Sequence, residues 1–223
     1  MISKQPTDII NVLIAGTAGQ GVITLKRLIE FAAQCENPGA ERIFGSEMHG
    51  LAQREGAITS HTRYQMEVHA DERKNLHSPS ICFGDADLVL ALEPVEALRQ
   101  GIFCSEKTIF IVNTRVIPPI LISADMDTYP SIQKIREILL GFNNGKEGHL
   151  FMDNFTDHSI ENFETNQKAN IIILGVAIGL GCLPFIQKGT YEQVIKRELG
   201  DAEDNLRALK IGLELAEKFN PSQ

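Results

Sequence analysis

A glycine cluster set between a β-branched run and a helical repeat constrains this chain more than any other feature. Asp8 to Ala15 reads DIINVLIA and runs straight into Gly16-Thr17-Ala18-Gly19-Gln20-Gly21. Val22 to Gln34 then spaces its apolar residues with the period of a helix. Strand, tight turn and helix make half of a parallel α/β unit, so further strands have to lie beside the first. Asp87–Leu92 and Thr108–Val112 are near-continuous apolar runs, as expected of strands covered on both faces. A helix is predicted between them over Pro94–Gln100, where Pro94 fits the first turn because its missing N–H is not needed there. Ala40–Phe44 and Ala57–Val68 are predicted strands, the second on its alternation of apolar and polar residues. Ser131–Leu140 reads as a helix, FNNGKEG as a turn and His149–Met152 as another strand.

From Asp157 the pattern turns helical. Asn166–Leu180 is long and apolar, Thr190–Leu199 opens on a capping Thr with Glu192 behind it, and Ala202–Lys218 is amphipathic. The expected fold class is α/β: a Rossmann-like three-layer sandwich with a mostly parallel sheet of five or more strands and a helical C-terminal arm. With no repeat or linker in view, 1–223 reads as one domain, with a sheet core over 1–156 and the arm over 157–223.

Composition narrows the function classes. Twenty-nine acidic against 21 basic residues give a net charge of −8, the wrong sign for tracking a phosphate backbone, so no nucleic-acid partner is expected. The longest apolar run, Ile171–Ile186, carries Gly175, Gly179, Gly181 and Pro184 and falls short of the roughly 20 residues that span a bilayer. No membrane role is expected, and with no export signal in MISKQPTDII a cytoplasmic location is. Cys35, Cys82, Cys104 and Cys182 show no CxxC spacing, so no zinc ribbon or iron–sulfur cluster forms locally and no metal site is predicted. Cys82, Cys104 and Cys182 read as small buried hydrophobes.

Two segments could carry chemistry. Glycines at a strand-to-helix turn permit positive φ, and the free N–H groups of the helix start attract a phosphate or carboxylate. Gly16, Thr17, Gly19, Gln20 and Gly21 are therefore candidate cofactor-binding residues. Their spacing is GxxGxG rather than the GxGxxG dinucleotide fingerprint, and neither Glu36 nor Glu47 is well placed to hold a ribose. A tight structural turn is an equally good reading. The second segment, Gly45 to Gly56 followed by Ser60-His61-Thr62-Arg63, gathers charge and glycine in what reads as a loop, where binding residues concentrate. Arg54 and Arg63 are candidate counter-charges for a phosphate on the glycine loop, or interface ion-pair donors. Glu47, His49, Gln53 and His61 are candidate interface or site-lining residues, the two histidines with a pKa range suited to proton exchange.

The two segments in this order resemble the gamma subunits of 2-oxoacid:ferredoxin oxidoreductases and the beta subunit of the indolepyruvate enzyme. In that family a strand leads into a GxGGQG loop and helix, and a later segment reads ETHGMAQRGGSVxSHVR, which Glu47–Arg63 echoes as EMHGLAQREGAITSHTR. Asn170 before Ile171-Ile172-Ile173-Leu174-Gly175, with Asn205 and Gly212, continues the similarity over most of the chain. Ala18 and Glu55 depart from the pattern, and an alanine forced to positive φ would strain the loop. The resemblance implies a subunit of a complex that decarboxylates a 2-oxoacid oxidatively to acyl-CoA and reduces ferredoxin. It implies thiamine diphosphate and iron–sulfur clusters on partner subunits, a supporting role here near coenzyme A, and an inactive isolated chain, for which a homodimer is one expectation. Pyruvate and ketoisovalerate are among the substrates it suggests. A free-standing nucleotide-dependent oxidoreductase and a non-catalytic scaffold module remain the competing readings.

Overall fold

The computed structural model describes residues 2–38, 42–50, 56–117 and 128–219. Six strands form one sheet: β1 (Ile10–Thr17), β2 (Ile43–His49), β3 (Ala57–Tyr64), β4 (Leu88–Ala91), β5 (Ile109–Asn113) and β6 (Leu150–Asp153), in the order β2-β3-β1-β4-β5-β6. β1, β4, β5 and β6 pair in parallel, whereas β3 runs antiparallel between β1 and β2. Alternation along the strands sends side chains to two cores. Val12 and Ile14 of β1 join one, Leu13 and Ala15 the other.

The first core is roofed by α1 (Val22–Glu36) and by the later helices α5 (Ala169–Gly179), α6 (Lys188–Glu198) and α7 (Ala202–Phe219). The second lies under α2 (Pro94–Arg99) and α3 (Ile132–Phe142). Between β6 and α5 comes α4 (Phe155–Phe163), capped by Asn154, whose side chain accepts from the Asp157 N–H. α5 is buried from Ala169 through Ala177, as a helix apolar on every side must be. It and α7 touch backbone to backbone at Gly175 and Gly212, where a methyl on Gly212 would stand 2.1 Å from the Ile172 carbonyl oxygen.

Four local readings change. The second strand begins at Ile43 rather than Ala40 and continues through His49, so Glu47 and His49 stand on an edge strand and not in a loop. Its polar residues had no need of a core: Glu47 meets Lys26 of α1 at 3.1 Å. α4 carried no apolar stripe long enough to be read from sequence. Thr190 lies inside α6, not at its cap, and its hydroxyl bonds the Glu36 carboxylate instead. Cys82 is exposed, because it precedes β4 in a loop, whereas Cys104 and Cys182 lie in apolar surroundings that push their thiols up to about 12 and about 11.

Candidate functional site

β1 hands over to α1, which lies on one face of the sheet, while its neighbour β4 hands over to α2 on the other. Chains that part to opposite faces leave a crevice outside the carboxyl ends of the strands, the usual ligand position in open α/β sheets. Here that crevice is a cavity of about 410 Å³ lined by Thr17, Ala18, Gly19 and Gln20, by Leu92 after β4, by Asn113, Arg115, Val116 and Ile117 at and after the end of β5, and by Thr156, Ile160, Asn166, Gln167 and Ala169.

One hydrogen-bonded net ties its floor together. The Gln20 amide oxygen accepts from the Thr17 N–H at 2.7 Å, and its Nε2 donates to the Leu92 carbonyl at 2.8 Å. Asn113 Nδ2 donates to that same carbonyl at 3.1 Å and to the Thr156 hydroxyl at 2.9 Å. The ends of β1, β4 and β5 and the start of α4 are thus held in register by side chains no longer than an amide. Gly19 (φ +92°) and Gly21 (φ +89°) make the turn, and Gly21 has no room for a methyl because Asn170 Nδ2 stands 2.2 Å from where it would sit. Ala18 is not among the residues at positive φ and its N–H donates to the Gly56 carbonyl, so the departure from glycine there causes no strain.

Among the described residues the cation of this cavity is Arg115, which is exposed and engaged in no hydrogen bond or ion pair. Its guanidinium, the side-chain amides of Asn166 and Gln167, and the loop Thr17–Gln20 that leads into α1 make one flank that attracts anions. Leu92, Val116, Ile117 and Ile160 make the other flank apolar. Sequence reading missed Arg115, Asn113, Asn166 and Gln167. The signal available was position: polar residues directly after an apolar parallel strand stand at the binding end of the sheet.

Those of the residues predicted from the second segment that the structure describes do not gather here. Arg54 and Gln53 lie outside the described residues. Arg63 is 7% exposed and opposite Asn11, at the start of β1, so six residues of strand, about 20 Å, separate it from the glycine loop. It donates to Asn11 Oδ1 and to the carbonyls of Ser78 and Ser80. Glu47 and His49 face α1 on the outer strand, with Lys26 holding the Glu47 carboxyl below the usual range.

His61, on β3, is 3% exposed, and its Nδ1 accepts the Ile81 N–H at 3.0 Å. That bond fixes the proton on Nε2 and leaves no lone pair for proton exchange, a correction to the acid–base role its residue type suggested. Burial, with Arg63 adding to it, lowers its pKa. Because the folded chain resists a proton that the unfolded chain accepts below about pH 6.5, stability is full above that pH and falls as pH drops through it. His61→Gln is expected to flatten this slope by up to about 1.4 kcal/mol per pH unit, measured by urea unfolding between pH 5 and 7; an unchanged slope would show the ring takes no part.

Residues 11–215 match the family described as Pyruvate ferredoxin/flavodoxin oxidoreductase. The chain is 29% identical over 216 residues to the indolepyruvate oxidoreductase subunit IorB of Archaeoglobus fulgidus, covering 96% of this chain and 98% of that one. In fold it is similar to the gamma subunit of a keto/oxoacid ferredoxin oxidoreductase from Geobacter sulfurreducens, with a TM-score of 0.62, 19% identity and coverage of 94% and 99%. It is also similar to part of a 2-oxoglutarate:ferredoxin oxidoreductase from Magnetococcus marinus with 2-oxoglutarate, coenzyme A and succinyl-CoA bound, with a TM-score of 0.63 and 17% identity, over 95% of this chain and 31% of that longer one.

Proposed function

The chain belongs to the pyruvate ferredoxin/flavodoxin oxidoreductase family, and we propose that it is the gamma-type subunit of a 2-oxoacid:ferredoxin oxidoreductase whose crevice serves the coenzyme A side of the reaction. The complex oxidises a 2-oxoacid with coenzyme A to acyl-CoA and carbon dioxide, passing two electrons to ferredoxin. Thiamine diphosphate and the iron–sulfur clusters belong to partner subunits, and among the described residues no group of three or more His, Cys, Asp or Glu is placed to hold a metal. No helix among them is long and apolar enough to cross a membrane. The free thiols of all four cysteines fit a reducing cytoplasm.

The observation that carries the coenzyme reading is the two-sided crevice. An unpaired Arg115 facing the loop Thr17–Gln20 suits phosphate, and the wall of Leu92, Val116, Ile117 and Ile160 suits the uncharged arm that carries the thiol. A nicotinamide site fits less well. The strand beside β1 away from β4 is the antiparallel β3, so no parallel second strand presents an acid to a ribose, and Glu47 lies one strand further out. The likeness to an indolepyruvate subunit puts aryl 2-oxoacids first among substrates to try, ahead of pyruvate, ketoisovalerate and 2-oxoglutarate.

Anaerobic affinity purification of the tagged chain from its own host tests this. Co-purifying subunits carrying thiamine diphosphate and iron, with coenzyme A-dependent oxidation of a 2-oxoacid, are expected. A lone chain holding a nicotinamide or flavin would overturn the proposal. In the active complex, Arg115→Ala should raise the KM for coenzyme A about 10- to 100-fold with little change in kcat, the loss of a charge-assisted bond of about 1.5–3 kcal/mol. An unchanged KM would remove the crevice from the coenzyme site.

A further inference from the structure

Glu93 follows Leu92 where β4 hands over to α2, and it is 2% exposed. Its two carboxylate oxygens do separate jobs. Oε2 accepts the N–H groups of Val95 at 2.8 Å and Glu96 at 3.0 Å, which caps α2. Oε1 accepts the Tyr129 hydroxyl at 2.5 Å and the Ile117 N–H at 3.4 Å. A carboxylate buried this deeply needs such a set of donors. The Tyr129 ring packs on the second core, which holds its hydroxyl in place. Burial, with the Glu93 carboxylate adding to it, raises the Tyr129 pKa, so the phenol keeps the proton that it donates.

Ile117 ends the irregular stretch 115–117, which carries the cation of the crevice and part of its apolar wall. That stretch is tied at its two ends. In front of it the Thr114 N–H donates to the Asp153 carbonyl at 2.9 Å, and behind it stands the bond from Ile117 to Glu93. Between the two ties Arg115 and Val116 make no hydrogen bond with the described residues. We infer that Glu93 is a positioning residue of the crevice, which through Oε1 holds the stretch 115–117 and so sets where the Arg115 guanidinium stands. A long exposed side chain without a partner keeps its rotamer freedom, so the place of its backbone decides which phosphate positions it reaches. The inference rests on the coenzyme reading, since the ligand group that Arg115 meets is a coenzyme phosphate.

Glu93→Gln separates the two jobs, because its one amide oxygen can still cap α2 while its NH2 faces the Ile117 N–H donor to donor. In the active complex it should raise the KM for coenzyme A about 3- to 10-fold, the fold-change of one hydrogen bond, with kcat little changed. In an Arg115→Ala background the same substitution should add less than about twofold, because a guanidinium that is gone has no position to lose. Tyr129→Phe removes the other donor to Oε1 and leaves both bonds of the cap, and it should move the KM in the same direction by a smaller factor. In the isolated chain, Glu93→Gln should quicken amide hydrogen exchange at Ile117 and leave it unchanged at Val95 and Glu96. An unchanged KM for Arg115→Ala would overturn the coenzyme reading and this inference with it. A KM that rises for Arg115→Ala but for neither Glu93→Gln nor Tyr129→Phe would overturn the role of Glu93 alone. So would an equal rise for Glu93→Gln in both backgrounds, or unaltered exchange at Ile117.

Discussion

Gly212→Leu is expected to abolish the cooperative unfolding transition of this chain, and Gly212→Ala to lower its stability where the same change on an ordinary helix raises it. Alanine in a helix interior is favoured over glycine by about 0.5–1 kcal/mol. At Gly212 the added carbon would lie 2.1 Å from the Ile172 carbonyl oxygen and 2.8 Å from the Gly175 Cα. No side chain can turn aside there, because both obstacles are backbone; α5 and α7 would have to separate. Overpacking of a closed core costs about 1–3 kcal/mol, occasionally more, for an added methylene, which exceeds the helical gain. Leucine extends the intrusion by three more carbons into a helix buried from Ala169 to Ala177, against a total stability of about 5–15 kcal/mol. Urea unfolding followed by far-ultraviolet circular dichroism is the suitable measurement, the chain having no tryptophan. A Gly212→Ala variant as stable as the wild type would mean the two helices are not in contact as described.

What could be read from sequence follows from which features are local. The turn at Gly16–Gly21 was legible because strand, glycines and helix are consecutive, and the strands at Leu88–Ala91 and Ile109–Asn113 because a strand covered on both faces has to be apolar throughout. β2 was not legible beyond Phe44. An edge strand whose inner face meets Lys26 and Glu30 of a helix keeps polar residues that in isolation read as loop. Thr17, Gly19 and Gln20 of the predicted loop line the crevice, and the arginine lining it with them is Arg115, which no local pattern connects to the loop. Arg115 lies 94 residues beyond Gly21, and only the parallel pairing of β1, β4 and β5 brings the two ends together. Arg63 belongs to the same strand pair as the loop but to its opposite end, a distinction that register alone decides.

That distinction makes Arg63 and Arg115 separable by experiment. Arg63→Ala should lower stability by about 3 kcal/mol and leave the KM for coenzyme A unchanged, the reverse of the pattern expected for Arg115→Ala. Arg63 Nε donates to Asn11 Oδ1 at 2.7 Å, and Nη1 donates to the carbonyls of Ser78 and Ser80 at 2.9 Å each. Those bonds fasten the segment before β4 to the start of β1. Deleting the guanidinium strands buried acceptors at about 1–3 kcal/mol apiece, partly offset because burial already lowers the pKa of this group and so works against its charge. Arg63→Lys should recover less than half of the loss, since an ammonium cannot reproduce the planar fork that reaches an amide and two carbonyls together. Unfolding curves at pH 7 read the first effect and initial rates of the intact complex the second. A rise in the coenzyme KM for Arg63→Ala without loss of stability would place this arginine in the binding site after all, which the register of β1 with β3 does not allow.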